Sequence, residues 1–537
     1  MKLNDNGIKN RTEWEKRGYS LPTYDREAVK ERTAKSPFWL HFGAGNIFRA
    51  FQAAAVERLL NEGVLDRGIV VAEGFDYEII EKMNRPCDDL SVLVTLKANG
   101  SIEKTVIGSV AESRMLDSEN EAEFSRLCEI FENPSLQMTT FTITEKGYAL
   151  SSADGTVFPA VAYDFENGAQ KPKSYMGKVA ALLYRRYKNG ELPIAMISTD
   201  NCSHNGDKLC AAITAFADEW SKRGLVEKGF SDYIKDTSKV SFPWSMIDKI
   251  TPRPDASVMK MLENDGLEDV GFTVTSKNTY VAPFVNAEEC EYLVIEDAFP
   301  AGRPPLEKSG IMFADRETVD KVEKMKVCTC LNPLHTALAV FGCLLGYEKI
   351  SDEMKDAELL AMIRRLGYTE GLVVVTDPGV IEPKSFIDTV IGVRLPNPFM
   401  PDTPQRIATD TSQKLSVRFG ETVKKYVGEG RDLSCLTIIP LVFAGWLRYL
   451  MAIDDRGNAF EPSPDPLMEQ VRPYVEGIAL GEHADRAKLL PLLKNEKIFG
   501  SDLETIGLAD RVIDMFDELI AGKGAIRATL KKYTSEE

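Results

Sequence analysis

The stretch PFWLHFGAGNIFRAF, residues 37–51, constrains the fold more than any other. Phe38 to Phe42 is mostly apolar and too short for a helix, so it reads as a buried strand. Gly43-Ala44-Gly45 ends it, and Ile47, Phe48, Phe51, Ala55 and Leu59 then recur at helical spacing until Gly63. A strand that turns through glycine into a helix aims unpaired backbone N–H groups and the positive end of a helix dipole at one point. That arrangement suits a pyrophosphate. Gly43, Ala44, Gly45, Asn46, Ile47 and Phe48 are therefore the candidate cofactor contacts, with Phe48 standing where the usual dinucleotide fingerprint has a third glycine. The next strand, Gly68 to Ala72, runs into Glu73, with Asp76 shortly beyond. Carboxylates there accept hydrogen bonds from an adenosine ribose and repel a 2′-phosphate, which favours NAD over NADP. The competing reading is a pair of solvated loop carboxylates.

A second stretch, MKVCTCLNPLHTALAVFG, carries Lys326, Asn332 and His335 at the mouth of an apolar helix. Oxidation of a secondary alcohol needs a base for the hydroxyl proton, and a lysine serves when burial or neighbouring cations weaken its hold on its own proton. The oxygen passes through an alkoxide-like state, which fixed donors such as an amide and an imidazole stabilise. The plainer reading makes Asn332 a helix cap before Pro333, and His335 a packed core residue. In a third stretch, LPIAMISTDNCSHNG, an apolar strand at Ile194–Ile197 breaks into polar residues. Ligands of open parallel sheets bind beyond the carboxyl ends of strands, where Asn201, His204 and Asn205 would sit. Alternatively this is a polar turn in which Asp200 or Asn201 caps a helix beginning near Gly206. In a fourth, FPWSMIDKITPRPD, Asp248 and Lys249 are embedded in apolar surroundings and call for assigned partners.

GAGNIFRAF, TITEKGY, STDNCSHNG, FPWSMIDKITPRP, KVCTCLNPLH and RLPNPFMPDTPQRIATDTSQK, in this order, resemble the polyol-specific long-chain dehydrogenases, the mannitol dehydrogenase family. The resemblance spans nearly the whole chain. It implies Lys326 as general base, Asn201 and Asn332 as groups that polarise the reacting oxygen, and His335 as the residue that orients substrate. It also implies metal-independent chemistry with NAD or NADP. The activity it implies is reversible, NAD-linked interconversion of D-mannonate and D-fructuronate, with tagaturonate or mannitol as alternative substrates. Alternatives of another kind are a catalytically silent NAD-binding regulator and a zinc-dependent dehydrogenase. Five residues separate Lys326 from Asn332, whereas the family pattern has four. On a continuous helix the extra residue would turn the lysine by about 100°, so a bulge or break is expected between them, and Lys324 is the alternative base. Asn205, Asp248 and Arg394 are the candidate substrate contacts.

The chain has 65 Lys plus Arg against 82 Asp plus Glu, a net charge of −17, which argues against nucleic acid or an anionic membrane as partner. A sugar-acid substrate then needs a local basic site, for which Arg394, Arg406 and Lys414 are candidates, Arg394 first, unless they are solvated helix-surface charges. The N-terminus is charged and lacks the apolar core of a signal peptide, and no run reaches membrane-spanning length, so a cytoplasmic protein is expected. An odd count of nine cysteines suits a reducing compartment. Neither Cys202, His204 and Cys210 nor Cys328 and Cys330 has the spacing of a structural zinc site, so no metal is expected. Oligomeric state is left open.

The pattern divides near residue 290. Residues 1–290 alternate strands and helices, with residues 1–35 as an N-terminal extension. Strands are expected at Ser91 to Leu96, Ile102 to Ile107, Met138 to Thr144, Ile194 to Ser198 and Gly271 to Val274, with Asn99-Gly100 as a hairpin turn. Residues 291–537 are mostly helical, with helices expected at Thr336 to Leu345, Asp356 to Arg365, Leu433 to Met451, Pro466 to Ile478 and Leu503 to Leu519. The expected fold is an α/β N-terminal extended Rossmann domain plus a mostly α-helical C-terminal domain, with the active site in the interdomain cleft.

Overall fold

The structure is a computed structural model that describes residues 1–535. The chain forms two compact units, Met1–Asp320 and Lys321–Glu537. The first is built on a six-stranded sheet. Its strands, in chain order, are β1 (Trp39–Phe42), β2 (Ile69–Glu73), β3 (Val110–Met115), β4 (Met138–Phe141), β5 (Ile194–Ser198) and β6 (Val240–Ser241). They lie in the order β3-β2-β1-β4-β5-β6, all parallel, the doubly wound dinucleotide-binding arrangement. Helices cover both faces, so these strands are apolar on both sides rather than alternating. Trp39, Ile69, Val71, Ala195 and Ile197 enter one core, which α2 (Gln52–Asn61) completes after the short α1 (Asn46–Ala50). Leu40, Phe42, Val70, Ala72, Ile194 and Met196 enter the other, under α3 (Glu121–Glu132), α4 (Tyr175–Lys188) and α5 (Asn205–Lys222).

Ser91–Leu96 and Ile102–Ile107 form the expected antiparallel hairpin, turning at Gly100 with φ +85°. Residues 1–35 are built into this unit: Tyr19–Ser20 adds a parallel strand to the hairpin, and the Arg26 guanidinium donates to the carbonyls of Gly108 at 2.9 Å and Val110 at 3.2 Å. The unit runs about thirty residues beyond the division at 290 read from the sequence. The reason is hydrogen bonding: Tyr292–Glu296 pairs antiparallel with Ser245–Asp248 and parallel with Met312–Ala314, which ties residues 291–314 to what precedes them.

The second unit is helical. Its central α6 (Asn332–Leu345) packs on α7 (Ile438–Leu450) where Gly445 lets the Phe341 ring approach; a Cβ there would stand 2.7 Å from that ring. α8 (Ala509–Ile520) packs on α7 in turn. The buried Glu370 carboxylate accepts from the amides of Thr437 at 2.7 Å, Ile438 at 2.6 Å and Ile439 at 2.9 Å, satisfying the first donors of α7. Several helices are shorter than their apolar periodicity suggests. Gly507, at φ +78°, delays α8, and over Pro466–Ile478 only Met468–Val471 and a 3₁₀ turn at Arg472–Tyr474 form, because Pro473 and Gly477 (φ +79°) interrupt the pattern. The expected strand at Gly271–Val274 is only Thr273–Val274, and that at Met138–Thr144 stops at Phe141. One further expectation is corrected. The helix running Arg316–Leu345 is long and apolar enough to cross a membrane, but 78% of its most apolar window is buried inside the protein, as in a core helix.

Candidate active site

Beyond the carboxyl ends of β1, β2 and β4, where the strand order reverses, lies a cavity of about 600 Å³, within the size range of ligand sites. Gly43, Gly45, Glu73, Phe75, Asp76 and Tyr175 are among its walls. Gly43 has φ +107°, and a Cβ on it would stand 2.3 Å from the Thr142 carbonyl oxygen, so only glycine fits. Around an added Cβ on Gly45 nothing lies within 4 Å, which keeps the mouth of α1 open.

Glu73 does more than face this cavity. Its carboxylate accepts from Ala44 N at 2.8 Å, Phe75 N at 2.8 Å and Asp76 N at 3.0 Å, stapling the glycine turn to the turn after β2. Burial pushes its pKa up, against the three backbone donors. Asp76, 2% exposed, accepts from Thr275 Oγ1 at 2.6 Å and is the freer of the two toward the cavity. The other turn residues are turned elsewhere. Ala44 is buried, the Asn46 amide donates to the Pro252 carbonyl at 3.3 Å, and Ile47 packs on the core. Phe48 stacks on His41 with centroids 4.2 Å apart, so its side chain belongs to the core rather than to a ligand wall. His41 sits between the hydroxyls of Thr140 and Thr142, and burial lowers its pKa to about 3, leaving a neutral ring. Tyr175 is a residue the sequence did not single out. Its hydroxyl is buried against the cavity with no hydrogen-bond partner among the described residues.

The turn after β5 is organised by Asp200. Its carboxylate accepts from Ile143 N at 3.0 Å, Thr144 N at 2.8 Å and the Tyr148 hydroxyl at 2.5 Å, fixing the TITEKGY turn, in which Thr144 has φ +65°. This corrects the expectation that Asp200 or Asn201 caps α5. The N-cap is His204, in the left-handed region at φ +50°, and its ring stacks on Trp244 at 4.1 Å. Asn205 is corrected as well. It is fully buried, its amide lies 3.0 Å from the carbonyls of Asp200 and Ser245 and from Ser245 Oγ, and its carbonyl accepts from Ser245 N at 3.0 Å. It fastens α5 to the Ser245–Asp248 strand, with both amide hydrogens and one side of its carbonyl already engaged. Asn201, four residues earlier, is exposed in the loop, and Asp248 is buried at the end of its strand.

In the second unit, Lys326–Cys330 is a π-helical turn, closed by the Leu331 amide donating to the Lys326 carbonyl at 3.1 Å. This wider turn takes up the extra residue between Lys326 and Asn332. Lys326 is 3% exposed, whereas Lys324 is exposed, which favours Lys326 among the two candidate bases. The Cys328 carbonyl of the π turn accepts from Thr422 Oγ1 at 3.2 Å. His335, one turn into α6, has Nε2 3.5 Å from Asp402 Oδ2 without a hydrogen bond. Burial lowers its pKa to about 4, Asp402 opposing and Arg418, Arg406 and Arg394 adding, so the ring is neutral near pH 7. Arg394 is 5% exposed at the end of a π turn, Val390–Arg394. Arg406 pairs with Asp402, and the Lys414 ammonium donates to the carbonyls of Ile407 and Thr409, with its pKa lowered to about 8 by burial and by Arg418. Arg418 is a second residue that the sequence did not mark. Its only signal was a like-charge i,i+4 spacing from Lys414, unfavourable on an isolated helix. Among the described residues, no group of three or more His, Cys, Asp or Glu is placed to hold a metal ion.

Residues 38–308 match the mannitol dehydrogenase Rossmann domain, and residues 318–520 match the mannitol dehydrogenase C-terminal domain. The chain is 51% identical to the D-mannonate oxidoreductase of Thermotoga maritima over 542 aligned positions, covering 100% of both. Among solved structures, a D-sorbitol dehydrogenase in substrate-free form is similar with a TM-score of 0.79 and 27% identity, covering 95% of this chain and 97% of that one. The ternary complex of Pseudomonas fluorescens mannitol 2-dehydrogenase with NAD and D-mannitol gives a TM-score of 0.69 and 26% identity, covering 100% of each chain.

Replacing Asn205 by Ala strips partners from buried groups of two elements. It is expected to destabilise the first unit by roughly 2–4 kcal/mol in denaturant unfolding. An unchanged midpoint would mean that the Asn205 network does not hold α5 to its strand.

Proposed function

Because this chain belongs to the mannitol dehydrogenase family, we propose that it is an NAD-dependent secondary-alcohol dehydrogenase that interconverts D-mannonate and D-fructuronate. The observation that carries this reading is the 51% identity to a D-mannonate oxidoreductase over 100% of both chains.

The residues of the first unit fit the dinucleotide. Gly43 and Gly45 open a cradle at the head of α1, the buried Tyr175 hydroxyl lacks a partner among the described residues, and Asp76 offers a carboxylate where a ribose 2′-hydroxyl is accepted and a 2′-phosphate refused. When bound, NAD supplies the acceptor for the hydride that leaves the carbinol carbon. The remaining work is proton transfer and charge stabilisation by side chains, without a metal. In oxidation, the Lys326 amine accepts the hydroxyl proton of the alcohol, and in reduction its ammonium returns that proton to the ketone oxygen. Asn332, and Asn201 as the first unit's candidate, supply amide N–H groups suited to a substrate oxygen as it gains alkoxide character. His335, neutral through burial, orients substrate by hydrogen bonding without adding a charge beside the lysine. Asp248 accepts from a substrate hydroxyl, and the cations near His335 attract the substrate's carboxylate.

Absorbance of NADH across a panel of sugar acids and polyols, each with NAD and NADP, tests the assignment. D-mannonate with NAD is expected to exceed mannitol by roughly 10–100-fold in kcat/KM, the span of one or two charge-assisted hydrogen bonds. Preference for tagaturonate or a neutral polyol would reassign the substrate. Lys326→Ala is expected to lower kcat roughly 100–10,000-fold while NADH still quenches protein fluorescence normally, and Lys324→Ala is expected to stay near wild type. The reverse pattern would move the base to Lys324.

A further inference from the structure

We infer that Arg418 is the residue that receives the substrate's carboxylate and so sets the preference for a sugar acid over a neutral polyol, an inference that rests on the proposed function. Arg418 lies in the π-helical turn Ser416–Gly420. Its Nη1 donates to Thr336 Oγ1, and that hydroxyl donates to the Asn332 carbonyl at 2.8 Å. The guanidinium is thus tied to the turn of α6 that carries Asn332 and His335.

Its partners do not match its charge. A guanidinium offers five N–H donors, and the Thr336 hydroxyl is the one acceptor that Arg418 has among the described residues. None of the described carboxylates pairs with it, although it is half-buried, enough that burial alone lowers its pKa to about 10. Arg448, a fully buried arginine of this unit, shows the usual remedy. Arg448 donates to the carbonyls of Leu519 at 3.3 Å, Ile453 at 2.6 Å and Asp454 at 3.1 Å. Other cations gather near it. Arg418, Arg406 and Arg394 all act on His335 against Asp402, and Arg418 and Arg406 both act on Lys414 against Asp410 and Asp465. A half-buried, uncompensated charge of this kind is costly by itself and is relieved by an anion.

The neighbouring cations are otherwise engaged. Arg406 is paired with Asp402 and its side chain is 62% exposed. Lys414 spends its ammonium on two carbonyls. Arg394, the first choice from sequence, is 5% exposed and already interacts within the protein. Arg418 remains as the planar fork able to meet both oxygens of a carboxylate, beside the residues that handle the reacting carbon's oxygen.

The test measures kcat and KM for D-mannonate and D-mannitol with NAD in wild type, Arg418→Gln and Arg418→Lys, with thermal unfolding recorded for each. For Arg418→Gln the mannonate-to-mannitol ratio of kcat/KM is expected to fall roughly 10–100-fold, through KM for mannonate rather than kcat. Arg418→Lys is expected to fall between Gln and wild type, and added guanidinium ion to recover part of the loss in Arg418→Gln. A ratio unchanged in both variants, or equal losses on both substrates with a lowered melting temperature, would overturn the assignment. If Arg418→Gln does not fold, an unchanged ratio in a folded Arg418→Lys overturns it. Wild type that fails to prefer mannonate over mannitol would instead overturn the proposed function, and the carboxylate assignment with it.

Discussion

Pro333 has no backbone N–H to give to the Thr329 carbonyl, and its ring crowds the turn before it. The long helix from Arg316 to Leu345 nevertheless passes through this point. It does so by widening: Lys326–Cys330 adopts a π turn and Leu331 leaves helical geometry at φ −129°, after which α6 resumes. The Cys328 carbonyl of this turn accepts from Thr422 Oγ1 at 3.2 Å. An extra residue in an α-helix would swing Lys326 by about 100° relative to Asn332; a π turn absorbs one residue. The lysine is thereby buried, while Lys324, just before the wide turn, is left in water. Single π turns inside helices are uncommon and recur at functional sites.

Buried carboxylates do comparable work in both units. Glu73 clamps the glycine turn to the loop after β2, Asp200 clamps the loop after β4 to the end of β5, and Glu370 satisfies the first amides of α7. Each is an acceptor-only group set against backbone N–H donors that would otherwise be unpaired, and each therefore fixes local backbone. In the first unit this ties the backbone on the sheet side of the cavity, which Asp76, Phe75 and Tyr175 also line.

Much of the sheet was legible because doubly buried strands are short apolar runs: β1, β2, β5 and the Ser91–Ile107 hairpin stand out in the amino-acid sequence alone. β3 did not, since Glu112 and Arg114 interrupt its apolar pattern; at the sheet edge they are satisfied by pairing with one another and with Arg126. The Tyr292–Glu296 strand was missed although Tyr292, Val294 and Ile295 favour strand, because it falls at the expected domain division and its partner Ser245–Asp248 lies far off in sequence. Helix ends set by Gly477 and Gly507 were hidden under continuous apolar periodicity. At the site, residue type was legible and orientation was not. Asn201 and Asn205 share one motif, yet a helix begins between them, so one is exposed in a loop and the other is consumed by Ser245 and Asp200. Phe48 likewise follows the glycine turn but points into the core, because its position in α1 faces the sheet. Arg418 carries no motif; what distinguishes it is the absence of a carboxylate partner among the described residues, which only the fold reveals.

The central claim is that the wide turn holds Lys326 as the group that moves the substrate proton. The most direct measurement is chemical rescue of Lys326→Ala by a series of small primary amines, following NADH formation from D-mannonate. If Lys326 is the base, amines restore turnover in proportion to their concentration, and at equal free-base concentration the restored rate rises with amine basicity, with no such gain in wild type. A folded variant that binds NADH yet is not rescued by any amine in the series would contradict that role for Lys326.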